Sequence, residues 1–332
     1  MTTKHGMMSV ADAAALIGSG RHLCIAGDES ALRQLPAGNW IGGTIPYFMG
    51  EGGGLASREA VHVTVVGDHG EHADAPRLRL CDADALPQLC RNAPEHGYSI
   101  LILPAFSDCH LAFAREAPNY EEMYLKPLVG WVAGVHLDDL GTAAPQVVLG
   151  SSGEFSATQA VVMDVPLPPE KFARVDIVNP FRPGDGARIV FADTGFAAGD
   201  CRIDGQPGNL AEHLAASGAD GRLPLVADYC GAPVNVSIKG IDRAAGRVDF
   251  YAPVFPGLEY RLAAPVADPL AAIRAALPPP GTAISFACNC ILNFLYLELE
   301  GQRTGEVGGP MSFGEIGYQL LNQTLVYLTV EG

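Results

Sequence analysis

Cysteine, asparagine and glutamate gather near the C-terminal end of the chain, at Cys288-Asn289-Cys290, Asn293, Glu315 and Asn322. If residues 288–290 end a strand, the two thiols share one face and Asn289 takes the other. Such a pair could bind one soft metal or supply one nucleophile. A zinc site needs two further ligands and no His follows nearby, so no metal site is assigned. Free cysteine is also among the most buried residue types, so packed thiols beside a turn are the competing reading. If the chain is an enzyme, Cys288 or Cys290 is its nucleophile, with a base the sequence does not identify. Ser312-x-x-Glu315 ahead of Ile316, Leu320 and Leu321 reads as a capping box opening a helix. The amides of Phe313 and Gly314 would then face a carboxylate ligand. Asn293 and Asn322 have the chemistry to hydrogen-bond a ligand, or to satisfy turn backbone.

A second group of candidates lies in the first half. Gly42-Gly43-Thr44 and residues 50–54 (GEGGG) are the densest glycine runs, and neither fits a phosphate-binding fingerprint. They read either as tight turns with positive φ or as backbone that approaches a ligand, with Tyr47 and Phe48 as an aromatic wall. Asp108-Cys109-His110 holds an acid, a thiol and an imidazole, but neighbouring helical residues do not face each other. Ser107 or Asp108 as a helix N-cap accounts for that run. His69 and His72, with Asp68, Glu71 and Asp74, read as a solvated loop rather than a metal site. No G-x-S-x-G and no H-E-x-x-H occurs.

The elements that position these residues repeat. Short apolar strands are expected at 22–27 (HLCIAG), 99–104 (SILILP) and 283–288 (AISFAC). Each runs into a polar turn: Asp28, Glu29 and Ser30; Ser107, Asp108 and Cys109; Asn289, Cys290 and Asn293. A helix-like stretch follows, then a glycine loop at 41–44, 132–135 or 307–310. Each series closes in a β-rich strand, at 61–67, 160–165 or 324–330. Between the second and third series lie a helix over 210–216, capped by Asn209 and stopped by Gly218, and a hairpin around 242–246. A short helix over 270–277 has Asp268 as its cap and Pro269 at its first position. The fold class is therefore α/β, with mixed sheets, repeated strand–helix–Gly loop–strand units and two associated lobes. The connector Pro166-Leu-Pro-Pro169 divides domains at 1–170 and 171–332.

The order of these features resembles the FIST family of prokaryotic sensory ligand-binding domains. The matching segments are 40–45 (WIGGTI), 129–134 (VGWVAG), 201–207 (CRIDGQP), 286–289 (FACN), and 313–317 (FGEIG) followed by Asn322-Gln-Thr324. Residues 46–49 (PYFM) depart from the family's wording. The resemblance implies FIST N-like and C-like domains, small-molecule sensing, and haem as a cofactor some members use.

Composition narrows the partners. The chain has 332 residues, 21 basic against 37 acidic, and a net charge of −16, with no basic cluster. Nucleic acid and anionic membrane are poor partners for such a surface. Residues are 48% hydrophobic and 17% charged, which argues against disorder. No apolar stretch reaches membrane-spanning length, the N-terminal stretch lacks a signal-peptide pattern, and eight cysteines are too sparse for a disulfide scaffold. The expectation is a cytoplasmic small-molecule-binding sensor without its own output module, read by a separate signalling protein. A homo-oligomer is compatible with it. Its site draws on Gly43, Thr44, Tyr47, Cys288, Asn289, Cys290, Asn293, Gly314, Glu315 and Asn322. A cysteine-dependent enzyme and a haem- or metal-binding sensor are the alternatives.

Overall fold

The three apolar runs become strands because their residues are buried on both faces, as in sheets covered on both sides. A computed structural model describes residues 5–67, 74–229 and 231–332, so the His69–His72 loop lies outside the described residues. The first copy of the repeat comprises β1 (His5–Ser9), α1 (Val10–Gly18), β2 (His22–Gly27), α2 (Glu29–Leu32), β3 (Trp40–Thr44), β4 (Tyr47–Gly50), β5 (Gly53–Ala56) and β6 (Ala60–Val66). The second has β7 (Arg77–Cys81), α3 (Leu89–Asn92), β8 (Gly97–Pro104), α4 (Asp108–Glu116), β9 (Leu128–Ala133), β10 (Val147–Leu149), β11 (Glu154–Ser156) and β12 (Ala160–Pro166).

The third copy opens with β13 (Phe172–Val178) and is then interrupted. The interruption holds β14 (Ile189–Val190), β15 (Gly195–Ala198), β16 (Asp200–Ile203), β17 (Gln206–Asn209), α5 (Leu210–Ser217), β18 (Leu225–Tyr229), β19 (Ala232–Val236), β20 (Ile238–Asp242), β21 (Arg247–Val254) and β22 (Tyr260–Leu262). The copy resumes with α6 (Pro269–Ala276), β23 (Ile284–Cys290), α7 (Ile291–Tyr296), β24 (Gly309–Ser312), β25 (Glu315–Gly317), β26 (Gln319–Leu321) and β27 (Leu325–Glu331).

All three copies share one pairing rule. The leading strand pairs parallel with the next (β2 with β3, β8 with β9, β23 with β24). It also pairs antiparallel with the closing strand (β6, β12, β27). The opening strand flanks the closing one (β1, β7, β13). The remaining two strands of each copy leave for another sheet. β10 of the second copy pairs with β3, β25 of the third with β9, and β4 of the first with β24. Three six-stranded sheets result, each built from two copies in cyclic exchange.

Two sequence expectations are corrected here. The glycine segments are largely strand rather than loop: Gly42 and Gly43 lie in β3 and Gly309 opens β24, while Gly134 directly follows β9 and Gly308 directly precedes β24. Neighbouring atoms occupy the space a side chain would need. A Cβ on Gly43 would sit 2.7 Å from Ile102 Cγ2, and one on Gly42 2.7 Å from the Ile25 carbonyl oxygen. The capping box is also absent, because Ser312 and Glu315 lie in β24 and β25. Gly314 and Gly317 interrupt the run, and Tyr318 turns it at φ 66° into β26. A few apolar residues cannot distinguish a helix from short buried strands.

The chain divides into two compact units. The first holds residues 1–178, 274–320 and 325–332, and the second 179–273 and 321–324. Within the span 171–332 expected as one domain, residues 274–320 and 325–332 thus belong to the first unit, since β23 and β27 complete the third copy. In the first unit, Leu23 and Ile25 of β2 pack with Ala13, Ile17, Ala31 and Leu32 of α1 and α2. Elsewhere in that unit Trp131 stacks on Phe286 at 6.0 Å between centroids. In the second unit, Leu210, Leu214, Phe250 and Tyr260 anchor a separate core. Its helix α5 is capped by Asn209, which accepts from Glu212 N, and stops at left-handed Gly218 (φ 64°). The hairpin β20–β21 turns over 242–247. Among the described residues, no helix is long and apolar enough to cross a membrane.

Candidate functional site

The sequence-expected cluster around β23 is sealed interior. Cys288, Asn289, Cys290, Asn293, Ser312 and Glu315 are all buried. Asn289 Oδ1 accepts from Cys290 N at 2.8 Å and from Asn293 Nδ2 at 2.9 Å. Ser312 Oγ lies 2.9 Å from the Gly314 carbonyl and 3.2 Å from that of Asn289. The Gly314 carbonyl also accepts from Val132 N at 2.8 Å, and Phe313 N donates to Val132, so that amide faces no carboxylate ligand. Cys288 Sγ donates to the Gly130 carbonyl at 3.1 Å. Burial, reinforced by the nearby Glu315 carboxyl, pushes the Cys288 thiol well up, despite the opposing Ile316 amide. Burial of this kind disfavours the thiolate that a nucleophile would need. None of the cavities of about 330, 720, 560 and 440 Å³ is lined by Cys288, Asn289, Cys290 or Glu315.

The other expected residues are dispersed. Gly43 is packed against the second sheet, as above. Asn322 belongs to the second unit, where its Oδ1 accepts from Ser237 N at 3.1 Å and its carbonyl from Asn235 Nδ2 at 3.1 Å. Tyr47 is buried, its Oη accepting from Leu137 N at 3.1 Å while its ring stacks on His136 at 5.3 Å. Burial raises the Tyr47 phenol above its ordinary pKa. Phe48 is wholly core. Ser107, not Asp108, is the N-cap of α4, accepting from His110 N.

Thr44 leads to the place where charges do meet an opening. Its Oγ1 accepts from Gln146 N at 2.9 Å, and its carbonyl from Gly134 N at 2.7 Å. It lines a cavity of about 330 Å³ beyond the C-terminal ends of β2 and β3, with Asp28, Glu29, Ser30, Arg33, Arg58, His136 and Asp139. Carboxyl ends of parallel strands are the usual ligand-binding edge of α/β sheets. Asp28 is fixed as the N-cap of α2, accepting from Ser30 N. Arg58 Nη1 reaches Asp139 Oδ2 at 2.6 Å and Asp28 Oδ2 at 3.7 Å. The hydrogen bond from Arg58 holds the Asp139 carboxyl below its ordinary pKa, and the same bond raises the guanidinium. Arg33 pairs with Glu29 at 2.6 Å.

Sequence reading named Asp28, Glu29 and Ser30 as a turn but missed Arg58, His136 and Asp139. Arg58 and Asp139 are 81 residues apart. Strand exchange brings them together: the segment after β9 must reach β10, which pairs with β3 of the first sheet. No local pattern announces that.

Among the described residues, no three His, Cys, Asp or Glu side chains form a metal-binding group. No curated protein matches the chain. Residues 8–331 match a family described as a family of unknown function (DUF6976), and the chain belongs to that family.

Proposed function

We propose that the first unit binds a small zwitterionic molecule in the cavity at the ends of β2 and β3. The observation that carries this is the Arg58 guanidinium held between Asp139 and Asp28 at the edge of an opening of about 330 Å³. That volume lies in the range of small-ligand sites, roughly 300–1,000 Å³. Three carboxylates (Asp28, Glu29, Asp139) and two guanidiniums (Arg33, Arg58) line it, so both signs of charge find a partner. A ligand carboxylate would take Arg58 in competition with Asp139, and an ammonium would sit against Asp28. The FIST resemblance supports sensing as the use of such binding, with a separate protein reading the liganded state.

The test is a thermal-shift series using amino acids as zwitterions, with acetate and methylammonium as single-charge controls. Zwitterions are expected to raise the midpoint of the unsubstituted protein and to lose that effect in Arg58→Ala and in Asp28→Asn. A shift retained in both variants, or absent throughout the zwitterion series, removes the reading.

A further inference from the structure

The second copy carries its own depression at the matching place, with different chemistry. It has a volume of about 560 Å³ and is formed by the turn after β8, the segment leading to β10 and the turn before β12. In the first copy the leading strand ends at Gly27 and Asp28 caps the helix at once. In the second, β8 ends at Pro104 and the cap is Ser107, so two more residues, Ala105 and Phe106, are inserted. Phe106 adopts φ 68°, a left-handed conformation that bulky residues rarely take. Its ring is 60% exposed, so the core does not account for it. The ring meets Phe313 edge-on at 6.4 Å, and Leu140, 47% exposed, lines the same depression. Alanines and Pro145 form much of the remaining wall. Asp108 is the one charged residue among those lining it.

We propose that this depression is a second binding site, for a small organic cation with an apolar body, such as an aromatic or aliphatic ammonium. The Phe106 face and Leu140 would cover the apolar part, and the Asp108 carboxylate would meet the charge. An aromatic face attracts a cation directly, and no basic side chain lines the depression to oppose it. The site shares Ala143 and Ala144 with the charged cavity of the first copy but none of that cavity's charged side chains.

Benzylammonium titrated by calorimetry, with benzoate as comparator, tests this. Benzylammonium is expected to bind, and to bind about tenfold more weakly to Phe106→Gly and to Asp108→Asn. Glycine accepts the left-handed backbone, and Ser107 still caps α4 in Asp108→Asn, so thermal midpoints that do not fall will separate lost binding from lost folding. Arg58→Ala is expected to bind benzylammonium normally. The proposal is overturned if benzylammonium does not bind, if benzoate binds as tightly, if neither variant weakens binding, or if Arg58→Ala removes it.

Discussion

The first and third copies start from the same strand pair and finish it in opposite ways. After β2 the chain presents Asp28, Glu29 and Ser30 to an opening, where Arg58 and Asp139 join them. After β23 it presents Asn289, Cys290 and Asn293 to its own interior, where Asn289 Oδ1, the Ser312 hydroxyl and backbone groups hydrogen-bond to one another while Asn289 Nδ2 finds no partner among the described residues. The third copy is richer in residue types that catalyse or ligate, yet Cys288, Asn289, Cys290 and Glu315 line none of the cavities of about 330, 720, 560 and 440 Å³, and the copy's own opening, the one of about 720 Å³, lies beside the start of β23 instead. Neutral polar groups inside a fold are kept by their hydrogen bonds, whereas the charged side chains of the first copy stay where water or a ligand can reach them, and the Glu315 carboxyl is the buried exception in the third. A concentration of cysteine and asparagine therefore says little about a site until solvent access is known.

The sharpest way to break this comparison is Asn289→Leu. It removes the acceptor shared by Cys290 N and Asn293 Nδ2, two buried donors. Losing a buried acceptor costs about 1–3 kcal/mol, and chemical denaturation should report a loss in that range. The response to a zwitterion at the first copy should survive in the molecules that remain folded. Full stability in this variant would mean that the third copy is not a sealed polar interior.

The second copy supplies an intermediate case through His110. Its ring is buried, Nδ1 accepts from Phe106 N at 3.2 Å, and burial pushes its pKa from 6.5 down to about 4. The unfolded chain takes up this proton near pH 6.5, while the folded protein resists it until about pH 4. Stability from this group is therefore complete above pH 6.5, falls as pH drops through that window and levels off below it. The loss amounts to about 3 kcal/mol. His110→Asn should flatten denaturation midpoints over that pH range; an unchanged slope would assign it to other groups.

What the sequence disclosed follows from range. The runs at 22–27, 99–104 and 283–288 were legible as strands because burial on both faces leaves an unbroken apolar signature. Asn209, Ser107 and Asp268 were legible as caps because a cap acts over three residues. Gly43 was misread because a strand glycine required by Ile102 of another sheet looks locally like a loop glycine. Ser312 and Glu315 matched a helix signature but are instead held by strand pairing, Ser312 with Cys290 of β23 and Glu315 with Trp131 of distant β9. The Arg58–Asp139 contact was invisible because it exists only after β10 crosses to β3.

A smaller effect is expected at Phe106, where the second copy departs from the first by its two-residue insertion. Glycine relieves the left-handed strain, and the ring is mostly exposed. Phe106→Gly should therefore stabilise the protein by about 1 kcal/mol in thermal melts. Destabilisation would mean that the ring packs into the fold rather than standing ready for a ligand.

The smallest effect on stability, and the most telling one for function, belongs to Arg58→Ala. The guanidinium and its Asp139 partner are solvent-exposed, and exposed pairs contribute little to folding. The thermal midpoint should stay within experimental scatter, and the zwitterion-induced shift should vanish. Without its guanidinium partner, the Asp139 carboxyl should titrate at a higher pH, which NMR of the side chain would detect. Asn289→Leu and Arg58→Ala thus form a double dissociation, one costing stability and sparing binding, the other sparing stability and costing binding. If Arg58→Ala unfolds the protein, the ion pair is a structural clamp between two copies of the repeat. The first copy would then resemble the third, with its polar residues spent on holding the chain together.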